Sequence, residues 1–174
     1  MKMFKVFIID VDGVMTDGKF YYSDQGKVMK VFGPDDNDAL GLLNKNIEVR
    51  FVTGDRKGFK ISQKRIELDM GYKLDLVSTI HRVEWIKNIY DLKEVIYMGD
   101  GIFDHFVMKE VGHSICPSNA HPLAKDHSDY VTKQGGGDRA VAEACFHIMK
   151  KFFEPYDPSK LPKKGMKVSG EWKV

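Results

Sequence analysis

The sequence predicts an α/β fold, a doubly wound and mostly parallel sheet, on three observations. Short runs that are apolar on both faces recur along the chain, segments with helical spacing separate them, and three of the runs end in polar clusters: Asp10/Asp12, Thr53/Asp55 and Asp100/Asp104. Alternation of strand and helix at βαβ spacing favours a parallel sheet. In such a sheet ligands sit beyond the carboxyl ends of the strands, where these clusters fall.

Residues 4–9 form the first run, apolar on both faces as a buried parallel strand requires. Residues 19–22 and 27–32 alternate around Ser23-Asp24-Gln25-Gly26 and read as a hairpin. Gly33-Pro34-Asp35-Asp36 opens a helix whose apolar side carries Ala39, Leu40, Leu42 and Leu43. A second buried strand spans 47–53 and ends at Gly54-Asp55; a helix over 57–70 follows, with Gly71 placed to cap it. A short strand at 74–77 precedes a helix at 83–90, and 95–98 is the third buried strand, ending at Gly99-Asp100-Gly101. Beyond it come a helix at 103–110, a strand at 114–116, a small helix after Pro122 and a last strand at 130–132. Gly135-Gly136-Gly137 leads into a helix from 138 to 153. The predicted domain is residues 1–154; residues 155–174, with Pro155, Pro158, Pro162 and Gly165, read as an extended or mobile tail.

The 174 residues suffice for one domain with a sizeable core, and 43% hydrophobic with 30% charged residues is ordinary for a soluble globular chain. A net charge of +2, with acids and bases intermixed, gives no footprint for nucleic acid. The exception is the tail, where Lys160, Lys163, Lys164 and Lys167 gather as a weakly basic end. No apolar run approaches the ~20 residues of a membrane span, and Met1 to Lys5 lead into a strand rather than a signal peptide. Cys116 and Cys145 have neither metal-ligand spacing nor a disulfide framework, so a reduced, cytoplasmic setting is expected.

Asp10 and Asp12, two residues apart at a strand end, converge on one site in a turn, where their repulsion calls for a cation. Asp100 brings a third carboxylate from a neighbouring strand. An all-oxygen ligand set suits a hard ion such as Mg²⁺ better than zinc. Thr53 and the amides around Gly54 suit a phosphoryl group, and a carboxylate nucleophile would form an acyl phosphate. Singly, each aspartate reads as a turn former or helix cap; Asp104 could simply stabilise the first turn of its helix. Taken in order, the set reads as a phosphoryl-transfer site.

Asp10-Val11-Asp12-Gly13-Val14-Met15-Thr16-Asp17-Gly18 resembles the first motif of the haloacid dehalogenase superfamily, in the subgroup of 3-deoxy-manno-octulosonate 8-phosphate and nonulosonate 9-phosphate phosphatases. Thr53-Gly54 is similar to its second motif and Gly99-Asp100-Gly101-Ile102-Phe103-Asp104 to its fourth; Asn119-Ala120-His121-Pro122 and residues 135–141 extend the likeness to about Met149. The resemblance implies a Rossmann-like core with a hairpin flap and no large cap. It implies Asp10 as nucleophile, Asp12 as general acid and then base, and Thr53, Gly54 and Arg82 as phosphate binders. It further implies Mg²⁺ held by Asp10, the carbonyl of Asp12 and Asp100, with Asp104 in support. The partners implied are a small sugar phosphate and three further copies of the chain, since tetramer formation covers the active site in the capless members.

Three departures stand out. Arg82, in Ser78-Thr79-Ile80-His81-Arg82, takes the place of the family's lysine; it keeps the charge with a different geometry. Asp35-Asp36-Asn37 replaces the Arg-Asp-Gly of sugar-acid phosphatases, and two acids there would repel a substrate carboxylate, which favours a neutral or amino sugar phosphate over a keto-acid sugar. Gly101 replaces the usual second aspartate of the fourth motif. A catalytically degenerate fold kept for binding is the rival reading. His81, His105 and His121 lie near strand-end loops without ligand spacing, and His121 is expected to be structural. Arg139, at a helix start, is either a substrate contact or a surface charge.

Overall fold

The computed structural model describes residues 4–162. Eight strands and six α-helices alternate: β1 (Val6–Asp10), β2 (Tyr21–Ser23), β3 (Gly26–Met29), α1 (Asp36–Leu43), β4 (Glu48–Thr53), α2 (Phe59–Gln63), β5 (Lys73–Leu76), α3 (Arg82–Lys87), β6 (Val95–Met98), α4 (Asp104–Met108), β7 (His113–Cys116), α5 (Pro122–Asp126), β8 (Tyr130–Val131) and α6 (Ala140–Phe152). Six strands form one sheet in the order β5-β4-β1-β6-β7-β8, and every pairing in it is parallel. The expected α/β fold is the one observed. β2 and β3 form a separate antiparallel hairpin.

β1 lies in the interior of the sheet, and its pleat explains its apolar run. Phe7 and Ile9 face a cluster shared with α1 and α6, including Leu40, Leu43, Val141 and Ile148. Val6 and Ile8 face the opposite cluster, with Ile86, Val107 and Ala124 from α3, α4 and α5. Both faces of one strand are thus covered by helices, and no position is left for a polar side chain until Asp10 at its end.

Several elements depart from their predicted extents for local reasons. The helix expected over 57–70 begins as α2 and widens into a π-type segment, Lys64–Asp69, where the N–H of Met70 reaches the carbonyl of Arg65. Gly71, at φ +71°, ends it as expected. α6 starts at Ala140 rather than 138, because Arg139 takes a left-handed conformation at φ +68°. The hairpin strands are shorter than 19–22 and 27–32, with a register shift between Tyr21 and Tyr22. A lone bridge, Thr16 to Phe32, ties the hairpin's base to the loop after β1. Residues 155–162 run without strand or helix; Tyr156 rests on Phe146 of α6. Lys163, Lys164, Gly165 and Lys167 lie outside the described residues. Among those described, no helix is long and apolar enough to cross a membrane.

Candidate active site

The carboxyl ends of β1, β4 and β6 bring together Asp10, Asp12, Thr53, Asp100 and Asp104, with Arg82 arriving from the start of α3. At the end of β1 the chain turns through Val11–Met15, with Gly13 at φ +86°. A Cβ there would stand 2.0 Å from Asp100 Oδ2, so only glycine lets the two acidic loops approach this closely. Thr16 Oγ1 accepts the N–H groups of Gly13 (3.1 Å) and Gly18 (3.2 Å) and so holds the turn closed. From behind, a Cβ at Gly136 would come within 1.9 Å of the Gly13 carbonyl, and Gly137 N–H donates to Val14 O. The triple glycine is therefore the back wall of the first loop.

Arg82 is 1% exposed, not a helix-start surface charge. Its Nη1 and Nη2 donate to the two oxygens of Asp10 at 2.9 and 3.1 Å, the paired geometry a lysine lacks. Nη1 also donates to Asp104 Oδ1 (3.0 Å) and to the Tyr97 hydroxyl (2.6 Å), which itself donates to Asp104 at 2.5 Å. Asp104 Oδ2 accepts the amides of Asp100 and Gly101. With both oxygens engaged, Asp104 braces Arg82 and the fourth-motif loop, which is more than the expected first-turn role. Asp12 accepts from Thr53 Oγ1 at 2.9 Å. The remaining oxygen of Asp12 pairs with Lys30 at 2.7 Å, and Lys30 and Lys27 share Asp55 at 2.9 and 2.5 Å.

A cleft of about 320 Å³ opens over this cluster, lined by Asp10, Asp12, Phe20, Gly54, Thr79 and Arg82 among others. Carboxylate oxygens of Asp10, Asp100 and Asp104 lie within 4.8 Å of one another. Burial, opposed by Arg82 and reinforced by Asp104, pushes Asp10 up to about 6. Burial together with repulsion from Asp10 and Asp104 pushes Asp100 up to about 8. Burial also raises Asp55, but the two lysines outweigh it and hold that carboxyl at about 2. Fully ionised, Asp10, Asp12, Asp55, Asp100 and Asp104 would exceed Lys27, Lys30 and Arg82 by two negative charges, and that repulsion helps hold Asp100 protonated until a cation offsets it. An all-oxygen donor set with that excess fits one hard divalent cation.

Of the site residues expected from sequence, Asp10, Asp12, Gly54 and Arg82 line the cleft, and Thr53, Asp100 and Asp104 adjoin them through the contacts above. Tyr97, Lys27 and Lys30 are additions. Tyr97 had a signal, since a phenol inside a wholly buried strand requires a polar partner. The lysines had none: on an alternating hairpin they read as solvent-facing charges. Asp35 and Asp36 do not line the cleft. Asp36 is buried and accepts the N–H of Ala142 at 2.8 Å, and Asp35 pairs with Arg139 at 2.6 Å, so the expected repulsion of a substrate carboxylate has no basis within this chain. His121 caps α5 through Leu123 N–H, the structural role expected.

The sequence profile of the haloacid dehalogenase-like hydrolases matches residues 75–144. The 3-deoxy-D-manno-octulosonate 8-phosphate phosphatase of Salmonella typhi is 36% identical over 148 residues, 81% of this chain and 77% of that one. The crystal structure of the Yersinia pestis phosphatase of that name superposes with a TM-score of 0.72 at 32% identity, covering 84% of this chain and 81% of the other. The Moraxella catarrhalis phosphatase of that name, solved in complex with a magnesium ion, a phosphate ion and a KDO molecule, gives 0.73 at 28% identity over 86% and 87%.

Proposed function

Since the chain belongs to the haloacid dehalogenase superfamily, we propose that it hydrolyses a small sugar phosphate through a phosphoryl group carried on Asp10. It is a phosphoric monoester hydrolase. The observation that carries the mechanism is the Asp10 carboxylate, gripped at both oxygens by Arg82 and flanked by the Asp12–Thr53 pair and Asp100.

In the first step an Asp10 oxygen bonds to phosphorus and the ester oxygen departs with the P–O electron pair, taking a proton from Asp12. In the second, water attacks phosphorus, its proton passes to Asp12, and phosphate leaves Asp10. Gly54 and Arg82 hold the phosphoryl oxygens, while Thr53, whose single O–H goes to Asp12, orients that acid beside them. Arg82 also keeps Asp10 oriented, and Tyr97 with Asp104 keeps Arg82 in place. Asp10, the carbonyl of Asp12 and Asp100 would hold Mg²⁺, which when bound would supply charge stabilisation to the transferring phosphoryl group. The magnesium in the Moraxella relative supports that choice of ion.

Octulosonate 8-phosphate is the second reading for the substrate. The relatives' names favour it, and the placement of Asp36 away from the cleft removes the charge argument against it. We read the assembly as a cytoplasmic homotetramer built on the hairpin, whose Tyr21, Tyr22, Val28 and Met29 are all exposed. The deciding experiment is p-nitrophenyl phosphate hydrolysis with and without Mg²⁺, followed by kcat/KM for octulosonate 8-phosphate, glucose 6-phosphate and glucosamine 6-phosphate. Mg²⁺-dependent turnover is expected. A folded protein inert in both conditions would favour the degenerate, binding-only reading.

A further inference from the structure

Lys30 sits on the hairpin segment just after β3, yet its side chain is wholly buried, 0% exposed. An ammonium out of water must satisfy three donors. It donates to Ser62 Oγ at 2.8 Å and forms ion pairs with Asp12 Oδ1 at 2.7 Å and Asp55 Oδ2 at 2.9 Å. Its side chain is closed off from the cleft, which Lys27 and Asp12 line and Lys30 does not. Lys30 therefore acts on the chemistry only through its partners. Of these, Asp12 is the one the mechanism uses, and this inference rests on that assignment.

The terminal torsion of an aspartate is soft, so one contact leaves its carboxyl free to swing. In Asp12 one oxygen is held by Thr53 from the sheet and the other by Lys30 from the hairpin. The geometry points to Lys30 as the positioning residue that fixes the carboxyl of Asp12 for proton transfer, and makes that placement conditional on the hairpin being docked. Its ties to Asp55 and Ser62 are what dock it: they join the hairpin to the loop after β4 and to α2.

The test exploits the leaving group. A sugar oxygen needs the proton of Asp12 as the P–O bond breaks, while p-nitrophenolate departs as the anion. kcat/KM reports the course up to and including that step, before water attacks the phosphorus on Asp10. Lys30→Met should lower kcat/KM for the best sugar phosphate of the panel by about 10- to 100-fold, and for p-nitrophenyl phosphate by at least tenfold less. In an Asp12→Asn background the same change should cost the sugar phosphate little more. The fold should survive, because Asp12 keeps Thr53 and Asp55 keeps Lys27. Should Lys30→Met fail to fold, Ser62→Ala removes one tether and should show the same selectivity at smaller size. Equal losses on both substrates would reduce Lys30 to a structural prop and overturn the proposal. A wild-type protein inert on both would instead overturn the phosphatase reading.

Discussion

Asp10 and Arg82 show how one contact can serve both chemistry and structure. The guanidinium holds the nucleophile at both oxygens and is itself held by Asp104 and Tyr97, so each end of the pair is braced. Asp10→Asn removes the nucleophile while keeping an acceptor for Arg82; turnover should fall by at least ~10³-fold with the circular dichroism spectrum unchanged. Arg82→Lys keeps the charge but reaches Asp10 with a point donor and leaves Tyr97 and Asp104 short of one. kcat should drop about tenfold or more and the Tm should fall, both measurable on p-nitrophenyl phosphate and by thermal melt. The carboxylates were legible in sequence because each stands where an apolar run ends. Lys30 was not: its burial comes from Asp12, Asp55 and Ser62, three elements that no local pattern connects to it.

At the scale of elements, two junctions carry the site. The turn Val11–Met15 is shaped by Gly13, and Gly13→Ala should push Asp100 aside as well as strain a left-handed position. Half-maximal activation should then need about tenfold more Mg²⁺, read from a magnesium titration of activity. The second junction is α1 against α6, where Asp36 accepts from Ala142 while its other oxygen is buried without a partner among the described residues. Burial pushes this carboxyl from 3.8 up to about 6. The folded chain therefore binds more protons than the unfolded one between those values, and stability falls as pH rises through that window. Asp36→Asn should be more stable than wild type by about 1–2 kcal/mol at pH 7 and level with it near pH 4, by denaturant melts. Spacing alone foretold the apolar face of α1. It did not foretell that Asp36 would serve a helix far along the chain, nor the π-type widening after α2, because both depend on tertiary partners.

For the whole molecule, the expected parallel sheet was readable because fully buried strands leave an unbroken apolar signature, and β1, β4 and β6 carry it. The hairpin is the opposite case: it alternates as an ordinary surface ribbon does, but Tyr22 is 62% exposed with Tyr21, Val28 and Met29 beside it. A two-stranded ribbon is marginal in water by itself, and this one leaves four large apolar side chains exposed. Sedimentation should give four chains for the wild type. Tyr22→Glu combined with Val28→Glu should give smaller species that bind Mg²⁺ yet turn over sugar phosphates poorly.

The strand order has a further consequence, for synthesis. Asp10 and Asp12 leave the ribosome long before Arg82, Asp100 and Asp104, and β1 cannot be flanked on both sides until β6 has emerged. A nascent chain stopped short of β6 thus exposes one edge of β1, an apolar strand. Arrested chains ending before residue 95 should be engaged by chaperones and cut by protease at the end of β1, and chains extended past α4 should resist.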